Sequence, residues 1–154
     1  LLGMSLPEPD IPYPLIPVFV MVYFIAAAFE EAGWMGFAAD RMLNRWSALL
    51  TGIVIGCVWA LWHVIPYIQA QHSVIWIAGQ CLFTVSARVL IVWLYNHTGK
   101  SVFAAALFHA MSNAGYSVYP NYGSHYDPMV TGVLTALTAV MVIMIWGLKT
   151  FTRQ

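Results

Sequence analysis

Six polar side chains interrupt apolar stretches of the sequence, and their chemistry is that of proton transfer. They are two adjacent carboxylates, two imidazoles, a guanidinium and an amide: Glu30, Glu31, His63, Arg88, His109 and Asn113. Carboxylates and imidazoles act as general acids and bases, and N–H donors stabilise a developing oxyanion. Buried Glu, His and Arg can equally form a proton relay. The residue types therefore favour either acid–base catalysis or proton transport.

The spacing of these residues places several of them on common helix faces. Trp59 and His63 are four residues apart, and so are His109 and Asn113, so each pair lies on one face of a helix. The six polar residues come from four different apolar stretches. In a bilayer each of them needs a partner or a water-filled cavity. We therefore expect them to meet in one shared polar centre.

The composition indicates an integral membrane protein. Of the 154 residues, 61% are hydrophobic and only 8% are charged, whereas about a quarter of the residues in a soluble domain are charged. So few charges cannot cover the surface of a soluble globule of this length. The net charge of zero counts against nucleic-acid binding, which needs a basic face. Cys57 and Cys81 lie in apolar runs without metal-type spacing.

Five stretches approach the roughly 20 apolar residues that a membrane-spanning helix needs. They are Leu15–Ala39, Ser47–Ile68, Val74–Tyr95, Ser101–Tyr119 and Pro128–Lys149. The links between them are short, so the sequence predicts an all-α polytopic bundle that forms one domain over residues 1–154. Residues 1–14 are proline-rich and predict an extended external lead-in. Because Leu1 is not a start methionine, we expect a fragment or a processed chain that lacks upstream helices.

The basic residues predict the orientation of the bundle. With five alternating spans, one end receives five Lys and Arg residues: Arg41, Arg45, Lys100, Lys149 and Arg153. The opposite end receives Glu8, Asp10 and Asp127 and neither Lys nor Arg. By the positive-inside rule the basic end is cytoplasmic. Compact loops favour the plasma membrane of a bacterium.

Three motifs, in this order along the chain, resemble those of the CAAX-protease and bacteriocin-processing (CPBP) family of intramembrane proteases, of the lysostaphin-resistance-protein-A-like or abortive-infection type. The string from Glu30-Glu31 to Phe37 looks like its paired-glutamate motif. Trp59 followed by His63 is similar to the second motif, and His109 followed by Asn113 to the third. The resemblance covers residues 30–113.

The resemblance implies a helical bundle with a conical cavity that hydrolyses a peptide bond, near the C terminus of lipidated proteins or in other peptides. Glu30 would activate water, His63 and His109 would position that water or a metal, and Asn113 would stabilise the oxyanion. Supporting roles fall to other motif residues and to the lone intramembrane arginine: Glu31, Trp34, Trp59 and Arg88. The partners implied are the lipid bilayer and a peptide or prenylated protein substrate, and no nucleic acid.

A zinc ion is one possible cofactor. Glu30, His63 and His109 would supply the His₂Glu set of a hydrolytic zinc site. The chain has no His-Glu-x-x-His helix, and the same residues work without metal if Glu30 alone activates water. Metal-dependent and metal-free chemistry both stay open at this point.

One position departs from the family pattern, which commonly has Arg where this chain has Met35. That arginine would lie one turn after Glu31 on the same helix face. Arg88 is the only Lys or Arg at membrane depth. Our hypothesis is that Arg88 replaces the missing guanidinium and pairs with Glu31.

Three functions compete on this sequence. The first is an intramembrane endopeptidase, and the second is a catalytically weakened relative that acts by binding a peptide or partner, as in bacteriocin immunity. The third is a proton-coupled transporter. Transporters commonly carry duplicated halves, and this sequence has no internal repeat, which disfavours the third.

Overall fold

The computed structural model describes residues 13–118 and 125–148, and all regular structure within them is helical. A 3₁₀ turn at Tyr13–Leu15 leads into α1 (Ile16–Gly33). This helix runs without a break through a π-helical segment (Trp34–Ala39) into the short α2 (Asp40–Leu43). The remaining helices follow in order: α3 (Ala48–Gln69), α4 (Val74–His97), α5 (Val102–Val118) and α6 (Pro128–Trp146). Residues 1–12 of the predicted lead-in, Tyr119 and Lys149 lie outside the described residues.

The predicted all-α membrane bundle is confirmed, with differences at the helix ends. Four helical stretches are long and apolar enough to cross a membrane: Ile16–Leu43, Ala48–Gln69, Val74–His97 and Pro128–Trp146. The helix α5 has 17 residues, which at about 1.5 Å each give roughly 25 Å, slightly less than the hydrocarbon core. The prediction that the first span ends at Ala39 was wrong, because helical structure continues to Leu43.

Polar caps define where three of the helices begin. The hydroxyls of Ser47 and Ser73 accept the backbone N–H groups of Leu50 and Trp76, each at 3.2 Å, and so cap α3 and α4. The Asp127 carboxylate accepts the N–H groups of two residues in the first turn of α6. Pro128 follows at the first helical position, where its missing N–H costs nothing.

Glycines bring α4 into close contact with both of its neighbours. A Cβ atom on Gly56 of α3 would lie 2.9 Å from the Cα of Val85 in α4, and one on Gly52 would lie 3.0 Å from the Cα of Val89. Against α6, a Cβ on Gly79 would lie 2.5 Å from the backbone nitrogen of Met129. Small residues are what allow helix backbones to approach in a membrane. The helix α4 is therefore the centre of the bundle, between α3 and α6.

The bundle has a packed half and a hollow half. We call the end with the α2–α3 and α4–α5 connections the basic end, since Arg45 and Lys100 lie there, and the opposite end the distal end. At the basic end, a core cluster joins the π-helical segment to α3, α4, α5 and α6: Met35, Ala39, Ala48, Ile55, Val89, Ile91, Val92, Tyr95, Ala105 and Val142. Lys100 and Asp40 form an exposed ion pair beside it. The functional candidates lie above this core, towards the distal end.

Candidate active site

A buried ion-pair network joins α1, α4 and α5. Arg88 donates through Nη1 to Glu31 Oε2 at 2.6 Å, and His109 donates through Nδ1 to Glu31 Oε1 at 2.9 Å. The side chains of Glu31 and Arg88 are 0% exposed and that of His109 is 3% exposed. Because a carboxylate only accepts hydrogen bonds, the proton on His109 sits on Nδ1, which leaves Nε2 for other partners. Glu31 is thus the hub that fixes the His109 ring.

Trp59 covers this network from α3. The guanidinium carbon of Arg88 lies 4.1 Å from the centre of the Trp59 ring, a cation–π distance. The His109 ring meets the same indole edge-on, with ring centres 4.8 Å apart. Trp59 is 8% exposed. The supporting role predicted for Trp59 is therefore accompanied by direct contact with both hydrogen-bond partners of Glu31.

The predicted pair of Glu31 and Arg88 is present in the structure. Two local features of the chain make it possible. Glu31 lies in the last turn of α1, and the π-helical segment that follows turns Met35 into the core. Gly56 lets α4 approach α3 so closely that its added Cβ would lie 3.2 Å from the Cβ of Arg88. An apolar side chain thus occupies the position of the absent arginine, and the charge comes from α4.

His63 stands between two cavities. Its Nδ1 lies 2.8 Å from the backbone carbonyl oxygen of Trp59, and since a carbonyl only accepts, Nδ1 donates and Nε2 is left as an acceptor in the neutral ring. A cleft of about 160 Å³ between α1 and α3 is lined by His63 together with Glu30, Trp34, Trp59 and Trp62. A larger cavity, of about 590 Å³, is lined by His63 and Asn113 among others.

The six polar residues do not form the single shared centre that the sequence predicts. Glu31, Arg88 and His109 make the buried network, whereas Glu30 has an exposed side chain on the small cleft. Asn113 is half-buried on the large cavity. The division follows from helix geometry, because adjacent residues point about 100° apart. Glu31 therefore points to α4 and α5 while Glu30 points to the cleft beside α3.

The large cavity is lined by aromatic residues that the motif search missed. Tyr67 follows His63 by four residues, so the same face rule that joined Trp59 to His63 would have found it. Tyr126 donates to the side-chain oxygen of Gln80 at 3.1 Å. His72 stacks on Trp76 with ring centres 3.7 Å apart and lines the cavity. The contact between Tyr126 and Gln80 joins the connection before α6 to α4, so no local pattern contains it.

The described side chains do not form a metal site as they stand. Among the described residues, no three His, Cys, Asp or Glu side chains are arranged to hold a metal ion. The Nε2 atoms left on His63 and His109 have the chemistry of zinc ligands, but Glu30 lines a cavity that His109 does not. The predicted zinc set thus has suitable donor types without the required convergence.

The similarity to known proteins includes the part of the chain that carries the three motifs. Residues 12–115 match the sequence model of a family described as type II CAAX prenyl endopeptidase, Rce1-like. The CAAX prenyl protease 2 of Methanococcus maripaludis is 28% identical over 137 residues, an alignment that covers 83% of this chain and 49% of that protein. The chain therefore spans about half the length of this relative. The matched range contains every catalytic and supporting residue that the sequence predicts.

Proposed function

Since the chain belongs to the Rce1-like family of CAAX prenyl endopeptidases, within the CPBP proteases, we propose that it is an intramembrane endopeptidase in which Glu30 activates water. The observation that carries this proposal is the position of His63. One imidazole borders both the cleft that contains Glu30 and the cavity that contains Asn113. A peptide bond beside His63 would therefore have a base on one side and an amide donor on the other.

In the proposed first step, a water molecule lies between the Glu30 carboxylate and Nε2 of His63. Glu30 takes a proton from the water, and the hydroxide oxygen bonds to the carbonyl carbon of the substrate. Glu30 suits this role because its side chain is exposed to the cleft, whereas Glu31 is committed to Arg88 and His109. Two adjacent carboxylates thus take different roles because their surroundings differ.

In the proposed second step, the carbonyl oxygen carries the negative charge of the tetrahedral intermediate. The amide N–H of Asn113 donates to this oxyanion, a role in which preorganised donors contribute strongly to rate. Collapse of the intermediate breaks the C–N bond, and Glu30 returns its proton to the leaving amine. His109 lies four residues before Asn113 on α5 and would orient the substrate through its Nε2.

Arg88 and Glu31 would act as positioning residues in this scheme. The carboxylate of Glu31 holds the Nδ1 proton of His109, and Arg88 balances the charge of that carboxylate in a fully buried pair. An orienting carboxylate of this kind fixes both the tautomer and the angle of an imidazole. Loss of either residue would misplace His109 without touching the substrate.

The substrate that we propose is a peptide or a lipidated protein segment bound in the large cavity. Tyr23, Tyr67, Trp76 and Phe83 line this cavity, and no Lys or Arg is among its described lining residues. An apolar, aromatic wall with a few polar groups is typical of a pocket for an apolar ligand. The protein itself would reside in a bacterial plasma membrane.

The test is peptide cleavage by the purified protein in liposomes, with prenylated and unprenylated fluorogenic peptides. Glu30→Gln, His63→Ala, His109→Ala and Asn113→Ala are expected to lose turnover. His97→Ala is a matched control for His63→Ala, because His97 also follows a tryptophan by four residues and contacts its carbonyl oxygen, at 3.0 Å. Cleavage that survives Glu30→Gln would contradict the proposal. A chelator arm decides whether turnover needs a metal.

A second function is favoured by one observation, the separation of Glu30 and Asn113 into different cavities. A chain held in this arrangement would bind a peptide without cleaving it. Peptide binding by folded protein, measured by fluorescence anisotropy in the absence of any turnover, would favour this second function.

A further inference from the structure

The first long helical stretch is longer than the apolar layer of a membrane. Ile16–Leu43 has 28 residues, which at about 1.5 Å each give roughly 42 Å, whereas the hydrocarbon core is about 30 Å thick. The exposed ion pair of Asp40 with Lys100 lies on the last turn of this stretch, at the basic end. The end of the helix therefore extends into the layer of lipid headgroups.

Two arginines at this end have no acidic partner among the described residues. Arg41 and Arg45 are both exposed, and neither takes part in an ion pair of the described chain. The remaining described Lys or Arg of the basic end, Lys100, is paired with Asp40. The described part of this end therefore carries two guanidinium charges that no carboxylate balances.

The guanidinium of Arg41 is held in place by Phe37. Its central carbon lies 3.7 Å from the centre of the Phe37 ring, and Nη1 donates to the Phe37 carbonyl oxygen at 3.0 Å. An arginine has five N–H donors in a rigid fork, so this contact uses only part of its capacity. Such a fork matches the oxygen atoms of a phosphate group. Arg41 is thus preorganised for a phosphate acceptor.

Exposed apolar side chains accompany the two arginines along the chain. Phe37 precedes Arg41 and is 60% exposed, and Trp46 directly follows Arg45 and is 44% exposed. Tryptophan is enriched at the level of the headgroups, where one part of the ring is apolar and the other meets water. Cationic donors beside exposed rings match a ligand that has a phosphate and an apolar chain, which describes a phospholipid.

We infer that Arg41 and Arg45 bind the phosphate of an acidic phospholipid, whose acyl chains lie along Phe37 and Trp46. A zwitterionic headgroup carries its own cation beside the phosphate and gains less from the two arginines. A soluble acidic ligand would make the same ion pairs but would leave both rings without an apolar partner. The four residues line neither of the two cavities, so the inference is independent of the proposed function.

Fluorescence quenching by brominated lipids tests the site. The protein is placed in phosphatidylcholine nanodiscs that contain phosphatidylglycerol, with bromine on the acyl chains of one lipid or the other. The quenching that Trp46→Phe removes belongs to Trp46, and brominated phosphatidylglycerol should cause more of it than the same fraction of brominated phosphatidylcholine. Trp76, isolated in the same way by Trp76→Phe, is the control at the distal end. An equal preference at Trp76 would show general enrichment around the protein and would overturn the inference.

Arginine variants and soluble competitors identify the ligand. Arg41→Gln and Arg45→Gln should each raise the fraction of phosphatidylglycerol that half-quenches Trp46 by about fivefold, the effect of one cation near an anionic surface. Arg41→Lys keeps the charge and should raise it less. If the double Gln variant, with the parent circular dichroism spectrum, keeps the preference, the inference is wrong. Excess inorganic phosphate or polyglutamate at constant ionic strength should not relieve the quenching, and relief by either would overturn a lipid as the occupant.

Discussion

Removal of the Arg88 guanidinium should destabilise the protein far more than removal of an exposed arginine. Arg88 and Glu31 are both 0% exposed and 2.6 Å apart, so no water can replace the lost partner. Breaking a buried pair on one side costs about 3–5 kcal/mol. Arg88→Met keeps much of the volume and isolates the charge. The free energy of unfolding of a whole protein is about 5–15 kcal/mol. We therefore expect Arg88→Met to remove a large fraction of it.

The structure also predicts how the loss can be reversed. Glu31→Gln combined with Arg88→Met removes both charges, and the double variant should be more stable than the sum of the single effects by about 2–3 kcal/mol. Met35→Arg in the Arg88→Met background should recover part of the stability, because position 35 is buried one turn after Glu31.

Equilibrium unfolding in mixed micelles, followed by far-UV circular dichroism, measures these free energies. Arg45→Met is the matched control, since Arg45 is exposed at the basic end, and surface changes usually stay within about 0.5 kcal/mol. An unfolding free energy of Arg88→Met within about 1 kcal/mol of the parent value would contradict this prediction. The Glu31 carboxylate left without its partner would then not carry the cost expected for a buried, uncompensated charge. Additive effects of Arg88→Met and Glu31→Gln would refute the coupling itself.

Three further predictions concern the catalytic carboxylates, the helix packing and the titration of the distal end. Glu30→Gln should abolish peptide cleavage in liposomes and leave the unfolding free energy unchanged, because the Glu30 side chain is exposed. Glu31→Gln, at a buried position, should lower both the cleavage rate and the unfolding free energy. Equal loss of stability in the two variants would contradict the division of roles. Gly56→Val should lower the unfolding free energy by about 1–3 kcal/mol through overpacking, since even an added Cβ there would lie 2.9 Å from the Cα of Val85. Gly115→Ala should leave the unfolding free energy unchanged, because an added Cβ there meets no atom within 4 Å. Similar losses in both variants would show that packing is not the cause. Burial raises the pKa of Tyr126, in the connection before α6, to about 12. Because the pKa of Tyr126 is higher in the folded protein than in the unfolded chain, the neutral phenol favours the folded state. Its contribution to the free energy of unfolding is complete below the ordinary pKa of about 10 and is lost as the pH rises towards 12. Absorbance titration should therefore show a late tyrosinate step that Tyr126→Phe removes, and its persistence in that variant would assign the step to another tyrosine.

The sequence by itself determined the helices and the identity of the polar residues. Hydropathy alone marks the five long helical stretches, because burial in lipid demands an apolar surface around the whole helix. In the structure, four of them are long and apolar enough to span a membrane. The four-residue spacing of His109 and Asn113 fixes their common face. The arginine of the family pattern that is missing at Met35, together with the charge of Arg88, led to the pairing of Arg88 with Glu31, since a buried guanidinium without a counter-charge is too costly to keep.

Only the tertiary structure decided which glutamate is buried and where each cavity lies. Glu30 and Glu31 are chemically identical, and their environments differ because α4 and α5 pack against one side of α1 and the cleft lies on the other. The π-helical segment at Trp34–Ala39 shifts the face presented after Glu31, which no regular periodicity would show. The aromatic cavity likewise combines residues from five helices. Local spacing fixes directions around one helix axis, but the rotation of that axis relative to its neighbours is set by packing.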